Sequence, residues 1–307
     1  MKAIELKDFG GPEQLVEVDF PKPVAQRGQV VVRIHATSLN PIDPKRASGH
    51  LRQIFPVIFP FIPGGDFSGT VDSIGENVVG YELGDEVWGN SAAAGAYAEY
   101  LAIQVDQIAR KPRNLTFVEA ASLAVVAQTA QQALDHAGLE PGQTILIHGA
   151  GGAVGAVAVQ LAHNLGARVI ASASPGSFER LRSYGADQLI DYKTTPFESV
   201  VKDVDAVLDG VGGETQQRSY AVLKRGGILV AISQPPNTDE AAKYGVRAMM
   251  FSTQSSPETL NQLTTEIEAG RLKPYVVKTY PLSEIPQAWR DSATEHTTGK
   301  VVFVVVP

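Results

Sequence analysis

Four closely spaced glycines, Gly149, Gly151, Gly152 and Gly155, carry the most legible chemistry in this chain of 307 residues. They lie between an apolar run, Thr144–His148, and a segment with Val154, Val157, Ala158, Leu161 and Leu165 on one helical face. A second apolar run, Arg168–Ala173, follows. Strand, glycine turn, helix, strand is the order that leaves backbone N–H groups at a helix N-terminus for a dinucleotide pyrophosphate. The spaced fingerprint reads Ala150-x-Gly152-x-x-Gly155, with alanine in the first glycine's place. Gly152 would let phosphates approach the backbone, and Gly155 would let the helix approach the strand. Ala153 and Val154 fall in the first turn between them. The competing reading is a glycine turn that only packs a helix on a sheet.

The end of the second strand chooses between cofactors. An acidic side chain about 20 residues past the glycines binds the ribose 2′-hydroxyl of NAD. Here the region reads Ala171-Ser172-Ala173-Ser174-Pro175-Gly176-Ser177, with no carboxylate before Glu179. Hydroxyls at Ser172, Ser174 and Ser177 can bond a 2′-phosphate, and Arg180 or Arg182 can add charge. This favours NADPH. Alternatively these serines cap a helix beginning near Phe178, and both roles can hold together.

Other chemistries find little support. With no cysteine, disulfides, thiolate metal sites and cysteine nucleophiles are excluded. The six histidines (35, 50, 136, 148, 163 and 296) show no ligand spacing, and neither a G-x-S-x-G elbow nor a Walker A lysine is present. His148 reads as a strand-end hydrogen bonder. A net charge of −7 argues against the usual basic nucleic-acid surface. Glu5, Lys7 and Asp8 interrupt any secretory leader, and the most apolar stretch, Ile54–Pro63, is short and carries three prolines. No membrane partner and a cytoplasmic location are therefore expected.

Up to about Phe117 the chain shows short β-like runs separated by Gly and Pro: Met1–Leu6, Val30–Ala36, Phe67–Ile74, Glu86–Trp88, Tyr97–Ile103 and Gln107–Arg110. From Val118 helices and strands alternate. Val118–Ala137 and Thr259–Ala269 read as helices. Gln188–Tyr192, Ala206–Asp209, Gly227–Ser233 and Arg247–Ser252 read as strands. The tail, Lys300–Val306, is nearly all β-branched and reads as a buried strand returning to the first domain. The expected class is α/β: a Rossmann doubly wound parallel sheet plus a β-rich domain.

Several segments together resemble the zinc-free quinone oxidoreductases of the medium-chain dehydrogenase/reductase family, similar to zeta-crystallin and the enone reductases. They are Asn40-Pro41-Ile42-Asp43 with Gly49; Ile62 to Val71, continuing to Gly75; Gly84 to Gly89; Gly95 to Tyr100; Ala120 to Leu123 with Thr129-Ala130; Gly185-Ala186-Asp187; and Gly299-Lys300-Val301. The resemblance implies a GroES-like catalytic domain (1–117), a Rossmann NADP-binding domain (118–258) and a C-terminal segment (259–307) returning to the first. It implies NADPH bound between the domains and a homodimer through the strand at Arg247–Ser252. It also adds Tyr192, Val211, Ile232, Ser233 and Lys300 to the cofactor set. Zinc members hold their metal with cysteine, histidine and an acidic residue; here the corresponding loop carries Asn40, Gly65 stands in the histidine's place, and Asp66 alone remains. Relatives place a lysine near the position of Ser177, which this chain does not.

A quinone or enone accepts hydride at carbon, and charge then appears on its oxygen. Such a site needs orientation, proximity and hydrogen-bond donors rather than a strong base. The resemblance assigns Asn40 to the substrate oxygen or the nicotinamide and Thr129 to the nicotinamide ribose or amide, and gives Asp43 the task of fixing the Asn40 loop. Read alone, Asn40 and Asp43 are turn residues. The apolar stretch at His50–Phe61 is either a substrate-side wall or lid, or a proline-stiffened loop packed on the β domain. The expected partner is a hydrophobic carbonyl compound or quinone. A non-catalytic NADPH-binding sensor is the alternative, separated by the absence of turnover. An alcohol dehydrogenase is disfavoured, since alkoxide formation would lack its metal.

Overall fold

The computed structural model describes residues 1–294 and 298–305, so His296, Val306 and Pro307 lie outside it. The described chain falls into two compact units. The first comprises Met1–Val125, Gln254–Gly270 and the chain from Pro274; the second comprises Val126–Thr253 with Arg271–Lys273.

The first unit opens with β1 (Lys2–Leu6), β2 (Leu15–Asp19), β3 (Gln29–Ser38) and the short α1 (Ile42–Ala47). It continues through β4 (Asp66–Ile74), β5 (Glu86–Asn90), β6 (Tyr100–Gln104) and β7 (Ile108–Arg110). Alternation accounts for β3, whose Val30, Val32 and Ile34 join Phe67, Val71 and Val87 in one core. The long α2 (Phe117–Ala137) then leads into the second unit.

That unit contains β8 (Thr144–His148), α3 (Ala153–Asn164), β9 (Arg168–Ala173), α4 (Phe178–Ser183), β10 (Gln188–Asp191) and β11 (Val204–Asp209). It closes with α5 (Gly213–Ser219), β12 (Leu223–Ala231), α6 (Thr238–Lys243) and β13 (Arg247–Met250). The six strands lie in the order β10-β9-β8-β11-β12-β13, all parallel. This is the doubly wound sheet expected, and its order reverses beside β8, where such sheets bind ligands. Near-continuous apolar runs fit strands covered on both faces.

The chain then returns through α7 (Pro257–Glu268), β14 (Val276–Pro281), α8 (Ile285–Thr294) and β15 (Lys300–Val304). The return strand inserts between β14 and β3, making a seven-stranded sheet in the first unit.

Boundaries moved where side chains overrode local pattern. Tyr97 was expected to start a strand, but β6 begins at Tyr100. Its ring is a buried knot, edge-on to Trp289 and Phe303, and its N–H donates to Pro63 O (3.0 Å) rather than to a neighbouring strand. The strand expected over Arg247–Ser252 ends at Met250.

Candidate functional site

In the second unit β8 ends at His148, and Gly149 turns the chain with φ +70°, a conformation glycine adopts without strain. The turn is pinned by Gly152 N–H to Gly149 O (3.0 Å) and Ala150 N–H to Ser172 O (3.1 Å). Gly155 then crosses the turn: a Cβ there would lie 2.5 Å from Gly149 O and 2.6 Å from Ala150 Cα. This is the close helix-to-strand approach its position predicts. Gly152 takes the N-cap of α3, where no side chain caps the helix and no acidic residue stands in the first turn. The first N–H groups, at Ala153, Val154 and Gly155, therefore meet no side-chain acceptor, as an anion-binding helix start requires.

The serines gather at the same end of the sheet. Ser172, the penultimate residue of β9, is buried, Ser174 is half-buried, and Ser177 is buried beside Gly151, where a Cβ would come 2.8 Å from its Oγ. Neither Ser174 nor Ser177 makes the side-chain cap that a purely structural reading requires. Of the two arginines, Arg180 reaches the loop, donating from Nη2 to Gly151 O (3.0 Å), whereas Arg182 is exposed. Tyr192 follows β10 and is 59% exposed.

The opposite wall follows β11. Buried Asp209 accepts from the Val211 and Gly212 N–H groups at Oδ1 (3.0 and 2.9 Å) and from Gln216 Nε2 at Oδ2 (2.9 Å). These bonds hold Val211, 54% exposed, in van der Waals range of a Cβ built at Gly149. Ile232 N–H donates to Asp209 O (3.0 Å), which ties the end of β12 to the same loop. Next to it, the Ser233 Oγ is buried with no partner. A buried hydroxyl is costly when unmet, and a polar group of a ligand here would meet it. This orphan, the uncapped helix and the glycine cradle fit a dinucleotide. Thr129 also belongs to this unit and pairs its hydroxyl with Thr253 Oγ1 (2.8 Å).

His148 ends β8 with its Nε2 3.1 Å from Ser219 Oγ. The serine already donates to Thr215 O, so the ring is an Nε2–H donor. Burial lowers its pKa to about 4 despite the nearby Asp209 charge.

The first unit gathers a different set of groups. Asp66, fully buried at the start of β4, accepts five bonds. Ser38 Oγ (2.6 Å), Asn40 Nδ2 (2.8 Å) and Lys300 Nζ (3.2 Å) reach Oδ2; Asn90 Nδ2 and Val125 N–H (both 2.9 Å) reach Oδ1. Lys300 Nζ also donates to Leu39 O (2.8 Å) and Asn40 Oδ1 (2.7 Å). The β3–β15 register pairs Val302 with Ser38, and Leu39 N–H bonds Val301 O (3.0 Å), which carries Lys300 alongside Asn40. Lys300, Asn40 and Asp43 thus lie in this unit, while the glycine loop, serines, Val211, Ile232, Ser233 and Thr129 lie in the other.

Asp43 sits in the first turn of α1, 5% exposed. Its Oδ2 accepts the Asn40 N–H and the Tyr97 hydroxyl, both at 2.9 Å. Burial raises its carboxyl to about 6, against the opposing pull of those two bonds. The same burial, with Asp43 beside it, pushes the Tyr97 hydroxyl well above its usual range. Asp43 thus bonds the Asn40 backbone within its own turn and links it to Tyr97. Sequence reasoning quoted Tyr97 only as part of a motif and missed its bond to Asp43.

The apolar stretch divides. Phe59 packs edge-on against Phe9, and Phe55 and Phe61 flank the Arg46 guanidinium, whereas Ile54 and Ile58 point outward, Ile58 83% exposed. Part of it is a packed loop, and part is an exposed apolar rim.

Comparison with known proteins sets this geometry among relatives. Residues 26–113 match the family described as alcohol dehydrogenase GroES-like domain, and residues 184–303 match that described as zinc-binding dehydrogenase. Over its whole length the chain is 35% identical to a 2-methylene-furan-3-one reductase of Solanum lycopersicum and 34% identical to a chloroplastic NADPH-dependent alkenal/one oxidoreductase of Arabidopsis thaliana, covering 80% of each. The structure of a quinone oxidoreductase from Coxiella burnetii superposes with a TM-score of 0.92 at 35% identity, covering 100% of this chain and 99% of that one.

The residues here do not fit a zinc ion. The chain has no cysteine, and among the described residues no three histidine, aspartate or glutamate side chains come together at ligand spacing. A side chain at Gly65 would begin 2.7 Å from Asn90 Nδ2 and displace that amide from Asp66.

Proposed function

Because the chain belongs to the medium-chain dehydrogenase/reductase family, among its quinone oxidoreductases and enone reductases, we propose that it reduces a quinone or an α,β-unsaturated carbonyl compound with NADPH. NADPH, when bound, supplies the hydride. The observation that carries the cofactor half is the uncapped start of α3 beside a β9 end lined with serines and lacking a carboxylate. Gly149 to Gly155 would take the pyrophosphate; Ser172, Ser174, Ser177 and Tyr192, with Arg180, the 2′-phosphate side; and Val211, Ile232, Ser233 and Thr129 the nicotinamide side.

The first unit supplies what an oxygen gaining charge needs. Asn40 is an amide donor fixed before reaction, so no reorganisation is spent when charge develops. Asp43 keeps the loop of that donor closed through the Asn40 N–H. The outward Ile54 and Ile58 offer apolar surface to a hydrophobic acceptor.

The same reading places the protein in the cytoplasm, where a cysteine-free chain needs no oxidising environment; among its described residues no helix is long and apolar enough to cross a membrane. It also makes the protein a homodimer, paired through β13, the edge strand of the parallel sheet. Light scattering on a sizing column tests this: a dimer mass is expected, and a monomer mass refutes it. The activity is tested by initial rates of NADPH and NADH oxidation against an ortho-quinone and a conjugated enone, with oxygen excluded. NADPH-selective consumption is expected. No consumption by a preparation that binds NADPH refutes the reductase.

A further inference from the structure

Lys300 has three ammonium protons, and all three are taken: by Leu39 O, Asn40 Oδ1 and Asp66 Oδ2. None remains for a cofactor phosphate. Asn40 is held at both ends of its amide, Oδ1 by the lysine and Nδ2 by Asp66. Turning the amide over would set its NH2 against an ammonium and its oxygen against a carboxylate, so one orientation survives. One of the two Nδ2 protons is consumed by Asp66, and the other is left over.

We propose that Lys300 and Asp66 are positioning residues that clamp Asn40 and aim its remaining amide proton at the substrate oxygen. The proposal rests on the reductase reading above, with Asn40 as the donor. The ion pair is buried, Lys300 5% exposed and Asp66 fully covered. Buried charges persist when paired and fully hydrogen-bonded, and Asp66 has five donors. The pair thus costs the fold little while fixing a neutral donor, which is worth most in a reaction when it cannot rotate. The β3–β15 pairing delivers the lysine, so the last strand completes the site.

The test compares Lys300→Met, Asn40→Ala and the double variant. NADPH affinity is read by fluorescence titration, and kcat and KM with a conjugated enone. Lys300→Met is expected to lower kcat about tenfold to a hundredfold, with NADPH affinity held within about twofold. The double variant is expected to be no slower than Asn40→Ala, since the lysine acts through the asparagine. A tenfold loss of NADPH affinity makes Lys300 a phosphate ligand and overturns the proposal, as does a multiplied loss in the double variant. Should Lys300→Met not fold, Lys300→Arg keeps the charge without the three-point fit, and the same outcomes decide. In the free protein, the Asn40 side-chain amide, identified by its loss in Asn40→Ala, is expected to show one slowly exchanging proton. Two freely exchanging protons overturn the clamp. That readout stands even if wild-type protein reduces no acceptor, so failure of the activity and failure of the clamp are separable.

Discussion

Replacing Asp43 with asparagine should make the first unit more stable at alkaline pH and leave it unchanged in acid. The wild-type carboxyl titrates at about 6 instead of 3.8. That difference is worth about 3 kcal/mol in favour of the protonated form. Because the folded value lies above the unfolded one, the stability Asp43 contributes is complete below pH ~4 and is lost as pH rises through about 6. Asparagine is neutral throughout. Both bonds to Asp43 end on one oxygen, Oδ2, so an amide oxygen placed there still accepts from Asn40 and Tyr97. Tyr97, held well above its ordinary value, remains a donor across the range. The gain of the variant over wild type should therefore grow from near zero at pH 4 towards about 3 kcal/mol at pH 8. Urea denaturation followed by tryptophan fluorescence reads the right unit, since both tryptophans, Trp88 and Trp289, belong to it. A variant-minus-wild-type difference that stays constant from pH 4 to 8 refutes the reasoning.

His148 should impose the opposite dependence on the second unit. With its folded value about 4, below the ordinary 6.5, its contribution is present above pH 6.5 and lost as pH falls towards 4; hydrogen exchange of β8 amides in wild type and His148→Gln should show the acid loss only in wild type. Gly155→Ala drives a Cβ into the Gly149–Ala150 backbone and should cost about 1–3 kcal/mol, with weaker NADPH binding; Gly176→Ala, where an added Cβ meets no protein atom, is the neutral control in the same thermal assay. Ser233→Ala removes an unpartnered hydroxyl, so the free protein should be no less stable, while NADPH affinity by titration should fall about two- to tenfold.

The parallel sheet was legible because its signals are local: apolar runs, a glycine turn and an amphipathic helix all lie within Thr144–Ala173. The short α1 was not, because Asn40-Pro41-Ile42-Asp43-Pro44 reads as a turn and its helix lasts only six residues. β2 escaped for a similar reason, as Leu15–Asp19 carries two acidic residues and is mostly exposed. The hydrogen-bond partners of Lys300 were not legible. Its partner Leu39 lies 261 residues away, and no local pattern reports a pairing at that distance. One signal was available: a lysine that opens the buried run Lys300–Phe303 must find acceptors inside the protein.

Register links that lysine to the chemistry. Side chains alternate faces along a strand, so slipping β15 by one residue against β3 would turn Lys300 away from Asn40 and set an apolar valine against Asp66. The slipped pairing would also move Phe303 out of the cluster it shares with Tyr97 and Trp289. Apolar packing and ionic pairing therefore select the same register. Asp66 is held by β3, β5 and α2 residues as well, through Ser38, Asn90 and Val125, so its carboxylate has partners besides the last strand's lysine. The final strand adds the cation, and with the cation it fixes the amide of Asn40. In this chain the amide expected to face the substrate oxygen is hydrogen-bonded by a residue of the C-terminal strand.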